Sequence, residues 1–166
     1  MTAPSDNDPI AEAHRQWVAH GWGDAADGMA LVTGITRVHQ LFLRRVDEVL
    51  RPMDLTFARF ELLQLLSFTR TGHMSMKSIG ALLQVHATSV TSAVDRLEKQ
   101  QFVQRRSNEA DGRSVRVHLL PAGRDIAARA TAALNAAVFT QPGLKPREMA
   151  TMRRLLTSMR KSAGDF

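Results

Sequence analysis

The stretch MSMKSIGALLQVHATSVTSAVDRLEKQQFV, residues 74–103, decides the fold, because its apolar residues recur at helical spacing in two separate runs. Each run has one apolar face, and the two faces together contain Ile79, Leu82, Leu83, Val90, Val94 and Leu97. Val85 lies in the short connection between the runs, and Gly80 is small where two helix backbones would approach each other. The spacing predicts a helix-turn-helix, with helices over residues 76–83 and 88–101.

The second predicted helix begins with four small hydroxyl residues: Thr88, Ser89, Thr91 and Ser92. Helix propensity does not explain them, because serine and threonine are mediocre helix formers. Small hydroxyl side chains allow a helix to lie deep in the major groove of DNA and to bond to phosphates or base edges. The alternative is a capping cluster in which Thr88 or Ser89 serves only as the N-cap. One residue suffices for a cap, so the pattern favours the groove.

A hairpin is predicted directly after this helix, in RRSNEADGRSVRVHLLPAG (residues 105–123). Two runs with strand-type alternation, about 102–106 and 114–119, flank a polar loop, and Val115, Val117 and Leu119 share one face. Arg113 ends the loop, where a guanidinium suits the narrow, negative minor groove. Asp111 could hold it by a charge-assisted hydrogen bond. The alternative is that Arg113 pairs with Asp111 and does nothing else.

Charge is distributed unevenly along the 166 residues, whose formal net charge is +6. Residues 1–28 contain one Arg against five Asp or Glu, whereas residues 70–124 contain nine Lys or Arg against four Asp or Glu. This basic zone includes Arg105 and Arg106 at the base of the hairpin, where we expect them to contact phosphates. A basic zone suits a polyanion such as nucleic acid, although a solvated basic surface is an equal alternative on charge alone.

Helical periodicity also surrounds the helix-turn-helix, with Pro52 ending one helix and Pro121 opening another. The predicted helices outside it cover about 8–20, 29–51, the residues after Thr56, 121–139 and 147–161, and residues 21–28 read as a glycine-rich break. The fold class is therefore mainly α, an α+β winged helix-turn-helix. The predicted domains are an extension with a short helix (1–28), dimerisation helices (29–52 and 121–166) and a DNA-binding lobe (53–120).

The outer helices need burial that they cannot supply alone. The alanine-rich segment DIAARATAALNAAV, residues 125–138, packs closely but hides little area by itself. We therefore expect the first and last helices to pack together across a homodimer, with a monomeric bundle as the alternative.

Several classes of protein are disfavoured by the composition. There is no cysteine, which excludes disulfides, iron–sulfur clusters and thiol chemistry. No apolar run approaches about 18 residues and MTAPSDNDPI has no signal-peptide core, so we expect a cytoplasmic protein without a membrane span. The order of residues suggests no catalytic triad or phosphate loop, and the six histidines lack metal-ligand spacing. We expect no enzyme activity, metal or cofactor.

The chain resembles the MarR family of bacterial winged helix-turn-helix transcriptional regulators over about residues 29–162. The resemblance rests on LTFARFELLQLL (55–66), on IGALLQVHATSVTSAVDRLEKQQFVQRRSNEADGRSVRVHLLPAG (79–123), and on the flanking helices. Four residues match the wing pattern of the family: Asp111, Arg113, Leu119 and Gly123. Three residues depart from the usual ones, since Leu120 replaces threonine, Gly80 replaces alanine and Gln101 replaces glycine.

The resemblance implies a homodimer that binds a pseudo-palindromic DNA operator, usually as a repressor, with the terminal helices forming the dimer. It implies that Thr88, Ser89 and Ser92 meet DNA and that Arg113 is the wing arginine. Two recognition helices related by a two-fold axis should lie about 34 Å apart, one turn of DNA. The alternative function is a winged helix that binds proteins, which predicts apolar residues on the exposed face of residues 88–101.

A small-molecule effector is also implied, because relatives often release DNA when an aromatic or phenolic acid binds between the dimer helices and the DNA-binding lobe. Trp17 resembles a tryptophan of the urate-responsive branch, although Glu61 and Ala93 differ from that branch. The other residues of this expected pocket are Arg37, His39 and Arg59. The alternative is that Trp17 and Trp22 only pack the extra helix.

Overall fold

The computed structural model describes residues 8–108 and 111–166, apart from the side chains of residues 108 and 111–114. The chain divides into two compact units, Met1–Phe57 and Ala58–Phe166. Helices dominate both units, and the second also contains a small antiparallel sheet. The predicted fold class, a mainly helical winged helix-turn-helix, is confirmed.

The first unit contains α1 (Pro9–Ala19), α2 (Gly23–Leu50) and a short 3₁₀ turn (Arg51–Met53). Asp8 caps α1, since its carboxylate accepts the N–H of Ile10, and Pro9 occupies the first helical turn as the sequence predicts.

The glycine-rich break predicted over residues 21–28 is wrong for most of its length. The chain turns only between α1 and α2, where Gly21 has φ +84°, and α2 begins at Gly23. Packing outweighs the low helix propensity of glycine here. Ala26 is buried, and His14 Nε2 of α1 lies 2.9 Å from the Asp27 carboxylate of α2.

The second unit contains the helix-turn-helix. Its helices are α3 (Phe57–Phe68), α4 (Met76–Leu83), α5 (Ala87–Lys99), α6 (Pro121–Leu134), continued by a π-helical turn (Asn135–Phe139), and α7 (Pro146–Ser162). Strands β1 (His73–Ser75), β2 (Val103–Asn108) and β3 (Asp111–Leu119) form one antiparallel sheet in the order β1-β3-β2. The hairpin β2–β3 is the predicted wing, but its strands extend into the predicted loop, so that the backbone of Arg113 belongs to β3 and not to the loop. Strand β1 was not predicted.

The core of this unit confirms most of the predicted inner faces. Four of the predicted residues are buried: Ile79, Val90, Val94 and Leu97. The other elements of the unit contribute further buried residues: Leu62, Leu63 and Leu66 of α3, Val103 and Val117 of the sheet, and Ile126, Ala130 and Leu134 of α6.

Leu82 is 60% exposed, however, so its predicted place in the core is wrong. An α-helix advances about 100° per residue, which puts Leu82 about 60° from Ile79, away from the side occupied by Leu83. A helix of eight residues buries only a narrow face.

Helix α7 contributes no residue to the core of the chain. Along the part of the chain that the structure describes, no helix combines the length and apolar character needed to cross a bilayer.

Candidate nucleic-acid interface

The N-cap of α5 is His86, which the sequence interpretation overlooked because histidine is not a usual capping residue. Its ring Nδ1 accepts the backbone N–H of Thr88 over 3.4 Å and lies 3.1 Å from the Thr88 hydroxyl. The alternative in which Thr88 or Ser89 is the N-cap is therefore wrong. The capping requirement does not explain the hydroxyl cluster.

All four hydroxyl residues of α5 are exposed, while Val90, Val94 and Leu97 on the opposite side are buried. The Thr91 hydroxyl donates to the carbonyl of Ala87 at 3.0 Å, a bond within the helix. Ser89 and Ser92 lie on the side of α5 that faces away from the core. Their hydroxyl groups can donate or accept without disturbing the packing beneath them.

Two cations of α5 lie on the same side as these serines and were missed in the sequence. Arg96 and Lys99 follow Ser89 and Ser92 at steps of three and four residues, and both are exposed. The same helical spacing that revealed the apolar face could have revealed this stripe. It carries two hydroxyls and two positive charges, a combination suited to phosphate and base edges.

Arg105 of β2 does not point freely into solvent. Its Nη2 lies 2.6 Å from Asp95 Oδ1 and its Nη1 lies 2.6 Å from Glu98 Oε2, both on α5, and its side chain is 27% exposed. Burial by itself lowers the pKa of the Arg105 guanidinium, but the hydrogen bonds to Asp95 and Glu98 outweigh burial and raise that pKa above its ordinary value. The sequence predicts Arg105 to contact phosphate; the structure places its guanidinium on two carboxylates.

Of the other predicted wing residues, the structure describes the side chain of Arg106 but not those of Asp111 and Arg113. Arg106 is exposed and donates through Nε and Nη2 to the side-chain oxygen of Gln104, at 3.2 and 3.0 Å. Asp111 and Arg113 belong to β3 by their backbone, but their side chains lie outside the described residues. Their predicted mutual bond stays a prediction.

A histidine pair lies on the sheet, where His73 of β1 is opposite His118 of β3. Their ring centroids are 4.6 Å apart, and Arg116 Nη1 lies 3.4 Å from His73 Nδ1. Burial first, and then the neighbouring charges of His73, Arg106 and Arg116, lower the pKa of His118. Sequence reasoning could not find this pair, because its members are 45 positions apart and β1 has no periodic pattern.

The four residues expected to bind an effector lie on three helices. Trp17 of α1 contacts Trp22 edge to face, with ring centroids 5.4 Å apart. Arg37 and His39 are exposed on α2. Arg59 of α3 donates to the side-chain oxygen of Gln100, at 3.1 Å. Among the described residues, no three potential ligands of the His, Cys, Asp and Glu types form a metal-binding cluster.

A groove of about 450 Å³ lies between α3 and α6 in the second unit. Its polar residues are Gln64, Ser67, Arg124, Thr131 and Asn135. The hydroxyl of Thr131 donates to the side-chain oxygen of Gln64 at 3.0 Å. One cation among amide and hydroxyl groups can bind a small carboxylate.

A helix-turn-helix followed by a β-hairpin defines a winged-helix protein. Residues 55–115 match the model of the MarR family. The structure is similar to Sco5413, a MarR family transcriptional regulator from Streptomyces coelicolor, with 38% identity, a TM-score of 0.76, and coverage of 84% of this chain and 97% of the other. It is also similar to a mutant of Escherichia coli MarR in complex with operator DNA, with 26% identity, a TM-score of 0.73, and coverage of 81% and 96%.

A curated relative from Bacillus subtilis, the uncharacterized HTH-type transcriptional regulator YsmB, is 33% identical over 79 residues. That match covers 48% of this chain and spans about half of the relative's own length, 53%. The resemblance seen in the sequence is confirmed. The chain belongs to the MarR family of DNA-binding transcriptional regulators.

Proposed function

We propose that this protein binds a specific double-stranded DNA operator as a homodimer, with α5 in the major groove and the wing on the neighbouring backbone. The observation that carries the proposal is the exposed stripe of Ser89, Ser92, Arg96 and Lys99 on a helix whose opposite face is buried. The E. coli relative was solved with operator DNA, which supports the same use of this fold. A protein-binding winged helix is disfavoured, because its α5 would expose apolar residues. The proposal includes no catalytic role.

Selection of duplexes from a random library tests specificity, and fluorescence anisotropy then measures affinity for a selected duplex and a scrambled one. The double variant Ser89→Ala/Ser92→Ala should bind the selected duplex about 30-fold more weakly, since each lost hydrogen bond contributes about 1 kcal/mol. Ser162→Ala, on α7, is the matched control and should bind normally. If no duplex is enriched by the wild type in dilute buffer, sequence-specific binding is refuted.

The wing arginine is supported by the family resemblance. Arg113→Ala should weaken operator binding strongly and leave the dimer intact. The log–log slope of its binding constant against salt should also become shallower by about 0.9, because the variant has one cation fewer to neutralise the phosphates that line the minor groove. Unchanged affinity would remove Arg113 from the interface.

Exposed apolar faces on α2 and α7 support a homodimer. Large apolar side chains of α2, including Leu31, Val32, Val38 and Leu41, are 44–63% exposed, and Met152, Leu155, Leu156 and Met159 of α7 are 40–47% exposed. Such surfaces commonly mark protein contacts. Sedimentation should give twice the chain mass of 18.4 kDa. Leu155→Glu/Leu156→Glu should yield monomers that bind DNA weakly, whereas Arg153→Glu/Arg154→Glu on the same helix should remain dimeric. A monomeric wild type would contradict the proposal.

We further propose repression relieved by a small aromatic or phenolic acid, acting in the cytoplasm where bacterial DNA resides. Two sites are candidates: the residues Trp17, Arg37, His39 and Arg59, and the groove that contains Arg124. Calorimetry with benzoate and phenolic acids should distinguish them. Trp17→Ala, with Trp17→Phe as its conservative control, removes the first site, and Arg124→Gln weakens the second. Equal binding by wild type and Trp17→Ala would exclude Trp17.

A further inference from the structure

Arg105, Asp95 and Glu98 form a cluster, named here the wing bracket, that joins β2 to α5. The two carboxylates hold the guanidinium of Arg105 at 2.6 Å each. Glu98 also accepts the backbone N–H of Arg105 at 2.8 Å, so its two oxygens fix both the main chain and the side chain of that residue. The guanidinium of Arg105 has a third partner on α5, the carbonyl oxygen of Thr91, which lies 3.4 Å from Nη2.

The net charge of the wing bracket is unfavourable beside DNA. One guanidinium and two carboxylates give the cluster a formal charge of −1, next to a helix that would lie against phosphates. The two carboxylates occupy donors of the Arg105 guanidinium that a phosphate would otherwise bind. The negative charge of the cluster therefore opposes DNA binding. This cost is offset only if the geometry of the cluster favours DNA binding.

The geometry offers such a contribution, because α5 and the wing are separate elements. Only Gln100–Phe102 connect α5 to β2, and Gln101 within this connection has a left-handed φ of +58°. In addition to this covalent connection, the wing bracket joins α5 to β2 through ion pairs and hydrogen bonds. Because the guanidinium is planar and offers donors in a fixed fork, two simultaneous carboxylate bonds restrict both distance and orientation.

We propose that Arg105 is a positioning residue: with Asp95 and Glu98 it fixes the wing against α5, so that both elements contact DNA without first being ordered. This inference rests on the proposed DNA binding. Preorganisation of this kind increases affinity by lowering the entropy lost on association. Asp95 and Glu98 thus promote DNA binding in spite of their negative charge.

Substitution of the two carboxylates distinguishes positioning from simple electrostatics, because electrostatics alone predicts tighter DNA binding when negative charge is removed. Asp95→Asn/Glu98→Gln removes two negative charges beside the DNA, yet the variant should bind the selected duplex about tenfold more weakly. Asp125→Asn, an exposed carboxylate of α6, is the control and should bind equally well or more tightly. Tighter binding by the double variant would overturn the inference.

Arg105 itself separates positioning from phosphate contact. Arg105→Lys keeps the charge but loses the fork, so it should bind nearly as weakly as Arg105→Gln. In the Arg113→Ala background, Arg105→Gln should cost little further affinity, because the wing contact that it positions is already absent. Additive losses, with rescue by lysine, would instead establish a direct phosphate contact.

Amide hydrogen exchange of the free protein tests the wing bracket without DNA. In Asp95→Asn/Glu98→Gln, the N–H of Arg105 and its neighbours in β2 should exchange at least tenfold faster, while the interior of α5 stays protected. Unchanged exchange in β2 would refute the positioning role. This measurement remains decisive if the wild type binds no duplex, in which case the proposed function fails separately.

Discussion

Gly123, in the first turn of α6, lies where no side chain can be accommodated. A Cβ atom built on it would be 2.0 Å from the carbonyl oxygen of Phe102 and 2.9 Å from Leu119 Cδ1. The leucine methyl group can rotate away, but the carbonyl of Phe102 accepts the N–H of Leu120 at 3.0 Å and cannot move without breaking that bond. The close approach of α6 to the connection between α5 and β2 at Phe102 therefore requires glycine at this position.

We predict that Gly123→Ala destabilises the protein by about 1–3 kcal/mol. Overpacking costs about 1–3 kcal/mol and the strained hydrogen bond about 1 kcal/mol, against a gain of about 1 kcal/mol in helix propensity. For a chain of this size the melting temperature should fall by about 2–12 °C. Urea unfolding and thermal unfolding, each followed by circular dichroism at one protein concentration, measure the effect.

Gly80 in α4 is the matched control, because it is also a helical glycine of the second unit. Its added Cβ would meet the Val85 carbonyl and Val90 Cγ2 at 3.4 Å, the close end of ordinary contact. Gly80→Ala should therefore be neutral or stabilise the protein by up to about 1 kcal/mol. If the two alanine variants unfolded at the same urea concentration, the assignment of Gly123 to a steric requirement would be refuted.

Three further changes test local features. Gln101→Gly should stabilise the protein by about 1 kcal/mol in urea unfolding, since relief of left-handed strain of about 1–2 kcal/mol exceeds the added entropy of the unfolded glycine. His86→Ala should cost about 1 kcal/mol through loss of the α5 cap, whereas His86→Asn should retain it; equal losses would contradict the capping role. The lowered pKa of His118 means that the unfolded chain takes up a proton before the folded chain as the pH falls below 6.5. The free energy of unfolding should therefore decrease with falling pH in that window, and His118→Gln should flatten this part of the profile.

The sequence predicted the elements that have a strong period and missed those that do not. The bounds of α4 agree at both ends, because Ile79 and Leu83 stand at helical spacing and a polar turn follows. Strand β1 has three residues, too few to show alternation, and pairs with a strand more than 40 residues later. The first six residues of α2 were missed because their glycines have a low helix propensity, which can be read from the sequence. The packing against α1 that outweighs this propensity depends on contacts that cannot be read from the local sequence.

The residues of the candidate DNA interface were also predicted only in part from the sequence. Composition and spacing were sufficient to find Ser89 and Ser92 on the exposed side of α5. They could not assign Arg105, because its partners lie seven and ten residues earlier on another element. A count of charges treats Arg105 as one more cation of a basic zone. The structure shows that its charge is already matched within the fold.

Helix α5 is divided lengthwise into three stripes, and this division determines what each of its residues can do. Val90, Val94 and Leu97 face the core, and a second stripe of Thr91, Asp95 and Glu98 contacts Arg105 of the wing. About 100° per residue leaves a third direction for Ser89, Ser92, Arg96 and Lys99, which are exposed. Because the acids are held on the stripe that faces the wing, the third stripe keeps its two cations uncompensated by carboxylates of its own. The helix can therefore be tied to the wing by negative charge and still present positive charge to DNA.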